Sequence, residues 1–400
     1  MEYSVVVIGG GPAGALAALK LARAGARVLV IDRERPTRVE AAEIMSPEGR
    51  NILEREKLWS QMPLDLTWPC PAMASAWDGP DPVWTSFTLN PGGCAWHIDR
   101  IRFDAWMIRQ LRASGVVVES GTVEAARRNG DGWQIEFSTN GVGADPSHTG
   151  GHGDPPLRDM NAGADPRVGP TSNTGGLDVA ATGDMRRSVS AQSLILATGR
   201  SSRTIRLAPR RLIDTLCLVA GTTAPDTVDP DALIVEAASD GWWYSAPLIS
   251  GRLFTGWMTD FALVTNGRYT EAATASLADA PIHRQRAGTP HLSTIIGSAT
   301  WALSPAAGPG WIAIGDAALA RDPIGGDGLT SAFRSACHGA EVVERALGGD
   351  HAVWAEAAGH TDALARRYQQ QRLDLYRVAQ KRWPVSAFWR RFGTSNATGA

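Results

Sequence analysis

Residues 3–14 limit what this chain can fold into more than any other stretch. Residues 3–8 read YSVVVI, β-branched and apolar throughout, as suits a strand buried on both faces. Gly9, Gly10, Gly11, Pro12, Ala13 and Gly14 follow, and residues 15–24 (ALAALKLARA) read as an apolar helix. In such a strand–turn–helix unit Gly9 permits the tight turn and Gly11 lets backbone approach a pyrophosphate. Gly14 lets the helix pack closely on the strand. The helix start then presents free N–H groups and a positive dipole end to phosphates. A second strand, residues 26–31, ends at Asp32, eighteen residues past Gly14, where a carboxylate accepts hydrogen bonds from ribose hydroxyls. A lone glycine fingerprint is weak. Strand, glycines, helix, strand and acid in register specify a dinucleotide site in a Rossmann-like α/β unit.

The rest of the chain must be built around that unit. Its 400 residues suffice for about two or three domains. A net charge of −2 supplies no bulk attraction to nucleic acid or an anionic membrane, so neither is expected as a partner. The four cysteines (Cys70, Cys94, Cys217, Cys337) lack C-x-x-C spacing, which argues against zinc, iron–sulfur and a disulfide framework and for a reducing compartment. No metal centre is expected. The first strand begins at once, and no apolar run reaches the roughly 18 residues of a membrane helix; the expected location is the cytoplasm. Lysines occur only at Lys20, Lys57 and Lys381, so a catalytic lysine has few candidates.

Along the chain, Ser46 and Pro47 form an N-cap and first helical position for a helix reaching about residue 58. Residues 59–92 are rich in Pro, Trp and Asp and belong to a second, antiparallel region. Residues 94–99 (CAWHID) alternate as a strand, and residues 103–113 form a helix with Phe103, Met107 and Leu111 at helical spacing. His97 reads as a structural histidine. Residues 123–127 and 133–138 form a hairpin. Residues 140–185, dense in Gly, Pro, Asp, Ser and Thr, bury too little to offset their ordering entropy and read as a flexible insertion at a hairpin tip. His148 and His152 fall there and read as solvated. A strand over 188–197 runs into Thr198-Gly199-Arg200, residues 211–300 read as mostly β, residues 328–347 as a helix, and residues 361–381 as a long Arg- and Gln-rich helix.

The second decisive stretch is residues 311–333, WIAIGDAALARDPIGGDGLTSAF. A buried strand delivers Gly315 and Asp316, whose carboxylate can take hydrogen bonds from a polyol. Pro323, Gly325, Gly326 and Gly328 then bare backbone N–H groups where a helix starts, an end that favours negative charge. Asp327 reads as the cap of that helix.

GGGPAG with Asp32, then Arg100-x-x-Phe103-Asp104, then GDAA…DPIGGDGL resembles the FAD-dependent aromatic hydroxylase and flavin-halogenase superfamily. GWWYSAP (residues 241–247) and RWPVSAFWRR (382–391) look like the branch of flavoprotein monooxygenases that mature tryptophylquinone cofactors. The resemblance implies FAD as cofactor. It implies that Gly9, Gly11, Pro12, Ala13, Gly14, Asp32 and Arg33 hold the adenosine and pyrophosphate, and that Arg100 lies near the flavin. It further implies that Gly315 and Asp316 bind the ribityl chain and that Pro323, Gly325, Gly326, Asp327, Gly328 and Leu329 hold the isoalloxazine. Two positions depart from the pattern: Leu319 stands where a histidine is usual, and Thr198-Gly199 where Asp-Gly is.

The implied fold is α/β. A discontinuous Rossmann-like FAD-binding domain with a mixed or parallel sheet takes residues 1–60, 100–139, 186–210 and 301–350. An antiparallel-sheet substrate domain takes 61–99 and 211–300, and a C-terminal helical segment takes 351–400. The implied activity is FAD-dependent monooxygenation of an electron-rich aromatic through a C4a-hydroperoxyflavin. The substrate is a small molecule or a tryptophan on a partner protein, and the electron donor is NAD(P)H or a separate reductant. Pro323, Gly325, Gly326, Trp243 and Trp257 are expected at the reacting end, with an aromatic floor over the flavin. Strand alternation puts Trp242 and Trp243 on opposite faces, leaving open which one lines the pocket. Halogenation, alkene reduction and a non-catalytic FAD-binding assembly role are the competing readings.

Overall fold

The computed structural model of the 400-residue chain describes residues 1–33, 41–87, 90, 92–139, 185–201, 207–224, 229, 231–264, 269–288 and 290–393. β1 (Tyr3–Ile8) leads into α1 (Pro12–Arg23), which returns to β2 (Val28–Asp32). β1 and β2 pair in parallel, Val5 opposite Val28 and Ile8 opposite Ile31. The helix starts three residues before the expected position because Pro12 occupies its first turn, where a fixed φ and a missing N–H cost nothing.

β3 (Glu43–Met45) precedes α2 (Pro47–Arg55). The Ser46 hydroxyl caps this helix by accepting the Gly49 N–H at 3.3 Å, as the sequence implies. β4 (Thr67–Cys70), β5 (Ala72–Ala76), β6 (Val83–Ser86) and β7 (Ala95–Ile98) follow; β3, β7 and β4 form a small antiparallel sheet. α3 (Arg100–Ala113) opens at Arg100 rather than at 103. Asp99 is the reason: its carboxylate accepts the Arg102 N–H at 3.1 Å, so the helix is capped one residue before the arginine. β8 (Val117–Ser120) extends β2 in parallel. β9 (Thr122–Asn129) and β10 (Gly132–Thr139) make the expected hairpin. β11 (Met185–Leu196) lies antiparallel to β10 and parallel to β1. Thr139 stands opposite Met185, so residues 140–184 depart from and re-enter facing strand ends. The insertion expectation and its two histidines lie outside the described residues.

β12 (Arg210–Leu212), β13 (Leu216–Thr223), β14 (Leu233–Ala238), β15 (Gly241–Pro247) and β16 (Leu253–Asp260) come next. α4 (Phe261–Val264), α5 (Tyr269–Ala278), α6 (Pro281–Ala287) and β17 (His291–Gly297) follow them. The second large sheet has the order β17-β13-β16-β15-β14-β5-β6, antiparallel except between β14 and β5. Strand predominates over helix in the described part of residues 211–300, as expected; α5 and α6 are helices that the reading did not anticipate. Ala273, Leu277 and Ala280 from this pair cover Cys217, Val219, Trp243 and Trp257 on one sheet face. That large apolar face needs a second layer, and an Ala-rich segment with good helix propensity supplies it.

β18 (Trp301–Leu303), β19 (Ala307–Gly308), β20 (Trp311–Ala313) and β21 (Leu319–Ala320) lead to α7 (Gly328–Leu347), α8 (Val353–Gln380) and α9 (Ala387–Gly393). β20 joins β11 in parallel, completing the order β19-β20-β11-β1-β2-β8, with β10 and β9 attached to β11. One face of this sheet packs on α1, α3 and α7 through Leu16, Leu19, Phe103, Met107, Phe333 and Val343. The other face buries Ile8, Leu29, Ile135, Phe137, Trp301 and Trp311. α8 starts at Val353, earlier than the expected 361. Phe388, Trp389 and Phe392 of α9 join Trp77, Trp242 and Tyr376 against the seven-stranded sheet. Among the described residues no helix is long and apolar enough to cross a membrane. The architecture is α/β: a Rossmann-like mixed sheet, antiparallel sheets and C-terminal helices. Its ligand crevice is expected at the carboxyl end of β1, where the chain continues to β2 on one side and β11 on the other.

Candidate functional site

The carboxyl end of β1 is built by contacts that leave no room for side chains. Gly9 has φ +108, and a Cβ there would lie 2.3 Å from the Ala197 carbonyl oxygen at the end of β11. A Cβ on Gly14 would lie 2.0 Å from the Gly9 oxygen. Gly11 is the N-cap of α1; no side chain caps this helix and no acidic residue stands in its first turn. Its dipole end is thus left for an anion. Next to it a cavity is lined by Ile8, Gly9, Ile31, Asp32, Arg33, Gly121, Thr122, Val123, Thr198 and Ser201. Asp32 and Arg33, both expected at the adenosine end, line it together with Gly9.

The second glycine motif meets the first directly. Gly315 has φ +58, and a Cβ on it would stand 3.0 Å from the Cβ of Ala13 in α1. Its N–H donates to the Ser335 hydroxyl at 2.8 Å, fixing the motif on α7. Asp316 is 44% exposed and pairs with the Arg200 guanidinium at 3.1 Å. Arg200 also donates to the Ala299 carbonyl at 2.8 Å and to the Arg321 carbonyl. The strand–glycine turn after β11 therefore supplies a cation to the site. The sequence itself gives no sign that Arg200 would pair with Asp316.

Arg100 opens the far end. It pairs with Glu43 at 3.0 Å and with Asp104, one helical turn on, at 2.8 Å. Burial opposes its charge, but Glu43, Asp104 and then Asp316 outweigh burial and hold it firmly protonated. Burial pushes the Glu43 carboxyl above the usual range, Arg100 pulling the other way and Asp104 and Asp316 adding to the rise. The Asp316 charge acts on both residues, so the ribityl-site candidate is within electrostatic reach of the Arg100 cluster. A cavity of about 320 Å³ opens there, walled by Trp68, Ile98, Leu248, Ile249 and Ile296, with Glu43, Asp99 and Arg100 at its polar end. Glu43 escaped sequence reading; nothing local marks an acid three residues before an N-cap.

The glycine loop adjoins this end. Pro323, Gly325 and Gly328 are exposed, and Gly326 takes the left-handed φ of +58. Ile324 packs on the cluster containing Ile44 and Ile296, and the open side of Gly326 faces the Met73 methyl at 3.8 Å. The Asp327 carboxylate does not cap α7. Arg321 at 3.1 Å and the Ser331 hydroxyl at 3.2 Å hold it instead; Asp327 stands at the N-cap position as expected, but its side chain makes no cap hydrogen bond. Leu329 is 2% exposed and packs in the core, so only its backbone can face a ligand.

The two tryptophans expected at the reacting end lie elsewhere. Trp243 and Trp257 are fully buried beneath α5 and α6, and Trp243 donates to the Ser276 hydroxyl at 3.2 Å. They face away from both cavities. Trp242 and Tyr244 take the opposite face. Trp242 is closed in, donating to the Tyr376 hydroxyl at 2.9 Å. Tyr244 feels the Glu43 charge, and burial first, then that charge, raises its phenol. His97 is the structural histidine expected: burial lowers it to about 4, its Nε2 meets the Asp231 carbonyl at 2.9 Å, and its ring stacks on Trp68.

Comparison with known proteins agrees with this geometry. The FAD binding domain family matches residues 2–135. LodB of Marinomonas mediterranea, described as an FAD-dependent oxidoreductase, is 24% identical over 98% of this chain and 96% of its own. The solved structure of QhpG, a peptidyl tryptophan dihydroxylase essential for tryptophylquinone cofactor biogenesis, superposes with a TM-score of 0.70. That match has 23% identity and spans 100% of this chain and 80% of QhpG. CmlS, a flavin-dependent halogenase, superposes with a TM-score of 0.77 at 19% identity over 98% of this chain and 67% of CmlS. A glycine cradle that a single Cβ would fill, open to an uncapped helix and a ribose-side carboxylate, fits the cofactor of that domain. With residues 2–135 matching the FAD binding domain family, the protein is an FAD-dependent oxidoreductase with FAD as its cofactor.

Proposed function

We propose that the protein is a monooxygenase that hydroxylates an electron-rich aromatic in the cavity beside Arg100. The observation that carries this reading is the cavity itself. At about 320 Å³ with an apolar wall and one polar end, it falls in the size range of ligand sites and admits one or two fused rings. On this reading Gly9, Gly11, Pro12, Ala13 and Gly14 seat the pyrophosphate, with Asp32 and Arg33 on the adenosine. Gly315 and Asp316 hold the ribityl chain, and Pro323–Gly325 with residues 326–329 hold the flavin ring. When bound and reduced, FAD supplies the oxygen activation. The protein keeps water from the reacting centre with Ile98, Leu248 and Ile296. Arg100, fixed by Glu43 and Asp104, presents positive charge to the flavin end, and Glu43 accepts a hydrogen bond from an indole N–H or phenol O–H. The cavity lies between the small β3-β7-β4 sheet with the start of α3 on one side and the ends of β15 and β17 of the seven-stranded sheet on the other.

The substrate class extends to tryptophan carried on a peptide. Ile101 and Ile249, each 45% exposed, line the cavity and offer an apolar rim to a larger molecule. The similarity to QhpG points the same way. Halogenation is the second reading, favoured by the similarity to CmlS. Against it, no lysine lines either cavity among the described residues, and Lys57 is exposed at the end of α2.

The test is turnover of the reduced FAD enzyme under ¹⁸O₂ with indole, a phenol or a tryptophan-bearing peptide. One labelled oxygen atom in the product is the expected result. Halide-dependent product means halogenation, and a reduced product formed without oxygen means alkene reduction. Flavin reoxidation indifferent to every aromatic points to a binding role. Any of these three removes the proposal. Gly11→Val is expected to give colourless protein, since a branched side chain would fill the pyrophosphate seat.

A further inference from the structure

The glycine loop over residues 322–328 is anchored by a helix that lies outside the FAD-binding fold. Tyr368, Arg372 and Tyr376 are spaced four residues apart in α8 and so share one helix face. All three converge on Asp322, which is 4% exposed. The Asp322 N–H donates to the Tyr368 hydroxyl at 2.9 Å. The Tyr376 hydroxyl donates to Asp322 Oδ2 at 3.0 Å, and Arg372 Nε donates to the same oxygen. The remaining oxygen, Oδ1, accepts the Ile324 N–H at 3.2 Å and caps the turn Pro323–Gly325.

Arg372 is itself held from behind. Its Nη2 lies 2.8 Å from Asp214 Oδ2, with 2% and 5% of the two side chains exposed. Asp214 Oδ1 accepts the Leu216 and Thr300 N–H groups at 3.0 and 3.1 Å, tying the cluster to β13 and the start of β18. A guanidinium between two buried carboxylates is costly to desolvate and loses much if one partner goes, so such a group fixes geometry more than it adds stability. The geometry fixed here is that of a loop with little packing of its own: Pro323, Gly325 and Gly328 are exposed, and Gly326 is left-handed.

We propose that Arg372 and Tyr368 are positioning residues for the flavin. Through Asp322, α8 sets the conformation of residues 323–328, so a C-terminal helix completes the isoalloxazine seat. This rests on the reading that the loop holds the flavin ring. Neither residue touches the cofactor; both act through the backbone of the loop.

The experiment titrates FAD into the apo forms of the full-length wild type, Tyr368→Phe and Arg372→Lys. It follows flavin fluorescence, the visible spectrum and midpoint potential of the bound flavin, and the melting temperature of each apoprotein. Tyr368→Phe removes one hydroxyl and keeps the ring. It is expected to melt as wild type does, yet to bind FAD several-fold more weakly with a shifted flavin spectrum and potential. Arg372→Lys keeps the charge but loses the fork, and a loss of at least about tenfold in FAD affinity is expected for a charge-assisted bond. Wild-type affinity, spectrum and potential in a folded Tyr368→Phe overturn the proposal, whether or not Arg372→Lys folds. A change confined to melting temperature also overturns it, since that is what a merely structural role gives. Failure of the wild type itself to bind FAD removes the underlying reading instead.

Discussion

Arg100 occupies the first turn of α3, where the helix dipole disfavours a cation. It is kept there by two carboxylates, Glu43 and Asp104, and this arrangement makes sense if its charge serves a ligand. Asp316, paired to Arg200 and 44% exposed, is the carboxylate of the cluster left open enough to meet a polyol. Asp316→Ala is expected to weaken FAD binding by about 1–3 kcal/mol, the loss of hydrogen bonds to a charged group, as read by equilibrium titration of the apoprotein. His97 sets a pH dependence. Its folded value of about 4 lies below the unfolded value near 6.5. The unfolded chain therefore binds the extra proton first, and stability is lost as pH falls through that window. In denaturant titrations of the apoprotein, His97→Gln should narrow the stability gap between pH 7 and pH 5 by about 1–2 kcal/mol. An unchanged gap means another group carries the acid sensitivity. The Cys70 and Cys217 thiols stay protonated across that window: burial pushes Cys70 up to about 11 and Cys217 to about 12.

At the scale of elements, β15 shows what strand alternation can and cannot tell. Period-two geometry dictates that Trp242 and Trp243 face opposite ways, and they do. Which side holds the cavity depends on what covers each face, and the covering layers come from sequence far from residues 242 and 243. α5 and α6 close over Trp243; α8 and α9 close over Trp242. Trp243→Phe removes the bond to Ser276 and part of a buried ring. It should destabilise the apoprotein by about 1–2 kcal/mol while leaving FAD affinity within about twofold, because its face of the sheet is remote from the cleft. A matching loss of FAD affinity would return this tryptophan to the site. The motifs that sequence made legible are the ones whose chemistry is local. Gly14 is required by its contact with Gly9 inside one strand–turn–helix unit and Gly9 by its own left-handed φ of +108, and Ser46 caps the helix that it begins. Arg372 was not legible, since an arginine in an Arg- and Gln-rich helix gives no sign that tertiary packing will bury it between Asp214 and Asp322.

Across the whole molecule, β11 is the element that joins the parts. It pairs with β1, β10 and β20, and its carboxyl end supplies Ala197 against Gly9, Thr198 to the adenosine-side cavity, and Arg200 to Asp316. Its amino end faces Thr139 across the hairpin. Deleting residues 145–183 should therefore preserve the melting temperature and FAD binding, because the described chain on either side, Thr139 and Met185, is already paired. Loss of folding would show that the segment contributes to the core. The account as a whole depends on one cleft reaching from Asp32, past the contact between Ala13 and Gly315, to Arg100. The most direct measurement is the crystal structure of the protein with FAD bound. The adenosine should lie against Asp32, the ribityl chain against Asp316, and the flavin ring on residues 323–328 with one edge toward the cavity of Trp68, Ile249 and Ile296. A flavin ring seated away from both Asp316 and Arg100 would contradict it.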